Sequence, residues 1–265
     1  MFAQMRHMAI VTSNANHEGD FYRDIFGMKR SGLARAGGAV VVGDGYIGLN
    51  LNPRAPGRQA GFDHFGFEVQ DTEVVFARLK DKYPKVQVLH RPSNRPFAGI
   101  SMHDPNGNVF DLSQANMENR RDIYTDQVEE RKRRIGHFGL RCVDPDLCGE
   151  FYRDVFELQE LEKPNGDPNH YLSDGKVTLA VMPWKIADFA GSGIERPALD
   201  HIGFKVESLA AFKADVEKHA HLYAVEENRP EKNPERDVRQ KLLASCCFGQ
   251  YQMSDPDGVL IDVTE

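Results

Sequence analysis

The sequence predicts an α+β fold in which four βαβββ modules pair into two similar halves. Two observations carry that expectation: landmarks that return in the same order about half the chain later, and apolar residues at every second position inside the landmarks. FYRDIF at 21–26 returns as FYRDVF at 151–156, and His7 in RHMAIV returns as His137 in GHFGLR, both 130 positions on. DHFGF at 63–67 returns as DHIGF at 200–204 after 137 positions, and DPNGNVFDLS returns as DPDGVLIDVT after 151, measured from Asp111 to Asp262. An offset that only grows is what duplication followed by loop insertion produces.

The elements follow from periodicity. MRHMAIVT alternates as a strand, with Met8 and Ile10 on one face and His7 and Ala9 on the other. HEGDFYRDIFGM has Phe21, Ile25 and Met28 at helical spacing and Gly27 near its end. GGAVVVGD and YIGLNLNP read as short strands closed by turn residues. The next module restarts at GFDHFGFEV, followed by a helix through TEVVFARLKDKY that Asp71 caps, and by strands over KVQVLHR, AGISMHD and NVFDLSQ. The second half copies this order: RIGHFGLRC, a helix with Asp144 before it and Pro145 in its first turn, HYLSDG, KVTLAVMP, ALDHIGFKV, a helix over SLAAFKADVEKHA, then LYAVEEN, FGQYQMSD and VLIDVTE. Between the halves, residues 115–134 are dense in alternating charge and poor in large apolar residues, which reads as a solvated connection. The expected domains are therefore 1–116 and 134–265, with a charged linker at 117–133.

Composition narrows the function classes. A hydrophobic fraction of 40% and a charged fraction of 28% are those of a globular protein. No apolar run reaches the roughly 20 residues that span a bilayer, and the first residues lack a signal-peptide layout, so a cytoplasmic location is expected. A net charge of −7 argues against a nucleic-acid or anionic-membrane partner, because binding phosphates needs a basic footprint. The four cysteines, Cys142, Cys148, Cys246 and Cys247, form no CxxC pair and suggest reduced, packed thiols.

The functional signal lies in which polar residues oppose the packed face. In GFDHFGFEV the residues Phe65, Phe67 and Val69 share one face, so His64 points to the other; His201 does the same in the second copy. His7 and His137 oppose Met8 and Phe138, and Asp111 and Asp262 oppose their apolar neighbours on the last strands. Each half thus presents two histidines and one carboxylate on the face not sealed by helices. That is the composition of a facial triad, which holds a divalent metal and leaves positions for substrate and oxygen or water.

The module order, the DHxGF strands, the FYRD helix and the DPxG turn before a carboxylate-bearing last strand resemble the vicinal oxygen chelate superfamily, which includes glyoxalase I, extradiol dioxygenases and bleomycin-binding proteins. The resemblance covers nearly the whole chain. It implies glyoxalase-like domains with cup-shaped mixed sheets, helices on the outer face, and metal ligands at His7, His64, Asp111, His137, His201 and Asp262. Two departures stand out: the family's last-strand ligand is usually Glu where both halves here carry Asp, and ring-cleaving members tend to keep a single metal-bearing half.

From this comes the expected activity: an extradiol-type ring-cleaving dioxygenase of a catechol-like substrate, with Fe(II) favoured and Mn, Zn, Ni or Co as alternatives. A lyase or isomerase on a small oxygenated metabolite, and a metal-free binding protein, are the other two readings. The partner expected is a small molecule with adjacent oxygens, and self-association into a homo-oligomer is compatible with the sequence. His103 and Tyr251, on the penultimate strands, are candidates for acid or base, and Arg141, on the face of His137, for attracting an anionic substrate. His17, His170, His219 and His221 read as ordinary surface residues. The insertion at 227–250 reads as a lid or a plain surface loop.

Overall fold

The computed structural model describes residues 1–33, 36–117, 122–125, 131–192, 194–223 and 248–265. The first half holds β1 (Ala3–Thr12), α1 (Ala15–Phe26), β2 (Lys29–Arg30), β3 (Val40–Gly43), β4 (Gly48–Pro53), β5 (Gly61–Val69), α2 (Thr72–Lys82), β6 (Val88–His90), β7 (Ile100–His103) and β8 (Val109–Gln114). The second holds β9 (Arg134–Cys142), α3 (Pro145–Phe156), β10 (Gln159–Glu160), β11 (His170–Ser173), β12 (Thr178–Pro183), α4 (Ile186–Ser192), β13 (Leu199–Lys205), α5 (Leu209–His219), β14 (Tyr251–Ser254) and β15 (Leu260–Thr264). Each half forms one mixed sheet, ordered β2-β3-β4-β1-β5-β8-β7-β6 and β10-β11-β12-β9-β13-β15-β14 among the described residues. In both, the first strands of the two modules, β1 with β5 and β9 with β13, pair antiparallel at the centre. This is the α+β arrangement of paired βαβββ modules that the repeats predict. Among the described residues no helix is long and apolar enough to cross a membrane.

The helices begin and end where local chemistry requires. Asn14 accepts the N–H of His17 at the start of α1, and Gly27 closes it in a left-handed conformation at φ 66°. The apolar stripe of α1 is wholly buried, and it packs partly on the other half. Phe26 stacks on Phe204 of β13 with centroids 3.8 Å apart, and Phe156 of α3 stacks on Phe67 of β5 at 4.2 Å. The helix-side faces of the two sheets thus share one apolar core, with Phe65, Phe110, Phe138 and Phe204 fully buried in it.

Polar groups inside that core explain two of the recurring motifs. The FYRD tyrosines cross between halves: Tyr22 donates to Asp255 Oδ2 and Tyr152 to Asp104 Oδ2, each at 3.0 Å. Those carboxylates are the aspartates of the DPDG and DPNG turns. The DG turns after β3 and β11 work the same way. Asp44 accepts the Ile135 N–H at 2.8 Å and Asp174 the Met5 N–H at 2.7 Å, so each half satisfies one backbone donor near the start of the other's central strand.

The connection between the halves departs from a solvated linker where it is described. Ile123 is buried, and Tyr124 donates to the Arg6 carbonyl at 3.0 Å. A side chain at Gly48 would meet the Tyr124 hydroxyl at 2.6 Å, and one at Gly43 would meet Ile123 at 2.8 Å, so these two glycines make the seat for the segment. Two apolar side chains in an otherwise charged run were enough to dock it. The proposed lid at 227–250 lies outside the described residues except for its last three, as does most of LYAVEEN. Cys142 and Cys148 are buried free thiols.

Candidate metal centres

Sheet register assembles each site in one row across four strands. In the first half His7 lies opposite Gly66, Gly66 beside Asp111, and Asp111 opposite Ser101, across β1, β5, β8 and β7. In the second the row is His137, Gly203, Asp262 and Gln252 across β9, β13, β15 and β14. The remaining histidine stands two residues before the glycine on the middle strand, and so on the same face. The glycine is what lets the set converge. A Cβ at Gly203 would fall 2.0 Å from His137 Cε1, and one at Gly139 would fall 2.3 Å from His201 Cε1. In the second half the DHxGF motif therefore encodes a ligand, a core residue, a gap for a neighbour's imidazole, and a second core residue; at Gly66 the space is taken by the Phe97 ring edge and His7 Cβ.

The ligand atoms of His7, His64 and Asp111 lie within 4.8 Å of one another, as do those of His137, His201 and Asp262. In the first set His7 Nε2 is 3.2 Å from His64 Nε2, which is 3.1 Å from Asp111 Oδ2. In the second, His137 Nε2 is 3.1 Å from Asp262 Oδ2. That short distance is not a hydrogen bond: His137 Nε2 and His201 Nε2 are both buried without a hydrogen-bond partner. Atoms that approach closely without aligning on each other face a shared point. Leaving buried imidazole nitrogens unsatisfied costs about 1–3 kcal/mol each, which a cation at that point removes. Two imidazoles and a carboxylate suit a divalent transition metal, so the residues fit such an ion.

Neighbouring groups orient the ligands. The Asp preceding each middle-strand histidine holds its other ring nitrogen: Asp63 Oδ2 is 3.1 Å from His64 Nδ1, and Asp200 Oδ2 is 3.0 Å from His201 Nδ1. Each of these carboxylates meets an arginine in turn, Arg58 in the first half and Arg141 in the second. Carboxylate, histidine and metal in series is how proteins fix which nitrogen faces an ion. An aromatic ring stacks on each first-strand histidine, Phe97 on His7 at 4.8 Å and Phe248 on His137 at 4.1 Å. The carboxylates differ in their supports. Asp111 Oδ1 takes Ser101 and, at 3.1 Å, Arg91, whereas Asp262 takes Gln252 at 3.0 Å and the Gly249 N–H at 2.8 Å.

Titration separates the two sets. Burial disfavours charge on His64, but Asp111 and Asp63 outweigh it and lift its pKa to about 9. Burial also dominates at His137, with His201 adding repulsion, and there it wins: that imidazole is pushed below its ordinary value despite Asp262. Burial would raise both carboxylates, yet their histidines hold Asp111 and Asp262 below the usual range.

Residues 4–112 match the model of the Glyoxalase/Bleomycin resistance protein/Dioxygenase superfamily. The first half of the chain thus resembles this superfamily in sequence. No curated protein matches it by sequence. The 2,3-dioxygenase LapB from Pseudomonas sp. KL28 superposes with a TM-score of 0.66 at 15% identity, covering 98% of this chain and 91% of that one. The Mn(II)-bound glyoxalase from Novosphingobium aromaticivorans gives 0.63 at 16%, over 99% and 81%. A mutant 4-hydroxymandelate synthase from Streptomyces coelicolor gives 0.66 at 14%, over 99% and 92%. At such identities these are likenesses of fold, and they extend over both halves of the chain.

Three sequence candidates are placed elsewhere than expected. Tyr251 does not border a cup: its ring meets Phe212 and Lys213 of α5, because Gln252 takes the cup face of β14 and alternation turns Tyr251 away. His103 has both nitrogens engaged by backbone, Nε2 by the Gln87 N–H at 2.9 Å and Nδ1 by the Asp104 carbonyl at 2.7 Å. Arg141 is buried rather than at a rim, with Nε 3.4 Å from Asp200 and Nη1 donating to the Pro183 carbonyl at 3.3 Å. His170 is likewise no ordinary surface residue, being clasped by Glu160 and Asp146 at 2.7 Å each. Asp63, Asp200, Ser101 and Gln252 were missed. The Asp of the repeated DH pair and the residue facing each last-strand carboxylate are the signals that could have found them.

Proposed function

We propose that this protein is a metal-dependent enzyme of the superfamily, an extradiol-type dioxygenase that cleaves the ring of a catechol-like substrate with Fe(II). The carrying observation is the pair of His, His, Asp sets whose ligand atoms converge within 4.8 Å. A divalent ion held there would supply Lewis acidity toward two neighbouring substrate oxygens and, as iron, a place for oxygen. The chain's own contribution is orientation. Asp63 and Asp200 fix their histidines so that Nε2 faces inward, the Gly203 gap lets the His137 imidazole approach, and Phe97 and Phe248 keep water from the outer face of His7 and His137. The Asp63 carboxylate at His64 Nδ1 keeps that nitrogen protonated and leaves Nε2 to the ion.

Protein loaded anaerobically with Fe(II) should consume one oxygen per diol and form a ring-opened product. Oxygen uptake absent for every catechol tested overturns the ring-cleavage reading.

A second reading, a lyase or isomerase using Mn, Zn, Ni or Co, is favoured by one feature. The residues facing the carboxylates are Ser101 and Gln252, neither of them an imidazole or phenol that would move protons in ring cleavage.

A further inference from the structure

The loop joining β6 to β7, residues 91–99, is built unlike the rest of the first cup. Its sequence RPSNRPFAG carries two arginines, a phenylalanine and no acid. Phe97 adopts φ 55°, a left-handed conformation that is costly for a bulky side chain. That conformation lays its ring on His7 at an interplanar angle of 11°. Arg91, where the loop begins, reaches Asp111 Oδ1 through Nη2 at 3.1 Å while its side chain stays 41% exposed. A guanidinium presents five donors in a flat fork, so a group that touches the ligand set through one nitrogen still offers donors toward solvent.

The two cups also differ in charge. At the first set Arg91 neutralises Asp111, and the Asp63 carboxylate is matched by Arg58, so a dication there keeps its full double charge. At the second, Asp262 is supported by the neutral donors Gln252 and Gly249 N–H, and Arg141 is matched to Asp200, so a dication keeps a single charge. A ligand for the first cup gains by bringing more negative charge than a diol alone, and the exposed fork of Arg91 beside Asp111 is where a carboxylate would be met in bidentate fashion.

Resting on the ring-cleavage reading, we infer that the first cup takes a diol bearing a carboxylate substituent, with Arg91 as the anchor for that carboxylate. Among the described residues Asp262 is met by Gln252 and the Gly249 N–H and by no arginine.

The test compares two probes, catechol and 3,4-dihydroxybenzoate, titrated calorimetrically into the full chain loaded with Co(II) in the absence of oxygen. The wild type should bind 3,4-dihydroxybenzoate about fivefold more tightly than catechol, the size expected of a half-exposed ion pair. Arg91→Met should bring that ratio to about one, and Arg91→Lys, which keeps the charge without the fork, should leave it between. Because Arg91 also supports Asp111, both affinities should fall in Arg91→Met, and the ratio within each variant is the readout. Should Arg91→Met fail to fold, the intermediate ratio in Arg91→Lys and its decline with added salt carry the test. A ratio near one in the wild type, or a preference that survives in Arg91→Met, overturns the anchor while leaving ring cleavage standing. If neither diol binds the loaded protein, the ring-cleavage reading fails and the anchor with it.

Discussion

Gly203→Ala is the smallest change that should disable one cup. A Cβ at this position would lie 2.0 to 2.2 Å from Cε1, Nδ1 and Nε2 of His137, against about 3.4 Å for ordinary contact, so the ring must retreat by more than an ångström. His137 is 1% exposed and lies against Phe248, which leaves it little room. Overpacking of this kind costs about 1–3 kcal/mol. Taking about 2 kcal/mol, the melting temperature should drop by roughly 4–8 °C for a chain of this size. The displaced Nε2 should also take the second set's ion with it, since a ligand moved by an ångström no longer coordinates. Gly136→Ala on the neighbouring strand β9 is the control, because its Cβ would meet Lys205 at an unstrained 3.6 Å. Calorimetric melting and metal analysis of the two variants read both effects. If Gly203→Ala melts and loads like Gly136→Ala, the row of His137, Gly203 and Asp262 is misassigned.

Other outcomes follow from the same contacts. Tyr152→Phe removes the buried donor to Asp104 and should cost about 1–3 kcal/mol, read as a lower urea midpoint at unchanged slope; an unaltered midpoint would argue against the link between halves. Glu18 is buried beside Asp255, and burial, followed by repulsion from Asp255 and Asp257, holds its pKa well above the usual carboxylate range. With the folded pKa above the unfolded one, its contribution is complete below about pH 4.5 and declines as pH climbs toward the folded value. Glu18→Gln should therefore gain stability relative to wild type as pH is raised from 6 to 9, and a difference independent of pH would refute the buried proton. Asp63→Asn and Asp200→Asn keep every ligand yet should weaken metal binding about 10–100-fold, measured by competition with a chelator; unchanged affinity would mean that neither carboxylate orients its histidine.

Much of this was legible because the decisive signals are local. Alternation within nine residues decides which way His64 points, and no distant residue can reverse it without moving Phe65 and Phe67 out of the core. The same rule, applied one residue off, put Tyr251 in the cup in place of Gln252. Strand phase in a short segment with few apolar residues is weakly set, and only pairing of Gln252 with Asp262 resolves it. The Tyr22 to Asp255 and Tyr152 to Asp104 bonds were hidden for a different reason. Their motifs were visible as repeats, but no periodicity within one half reports that its partners sit in the other. Docking of Ile123 and Tyr124 depends on two glycines some 75 residues earlier, a match of shape that composition averages away. Arg141 shares its face with His137 as alternation requires, yet its burial against Asp200 is a matter of packing depth, which alternation does not encode.

The central claim is that each half grips one divalent ion through two histidines and an aspartate. Metal content per chain, measured after loading apoprotein with Co(II) and removing excess, tests it most directly in wild type, His64→Ala and His201→Ala. The account predicts about two ions in the wild type and about one in each variant, with the remaining ion lost when both substitutions are combined. Metal content near zero in the wild type, or unchanged by both substitutions, contradicts it.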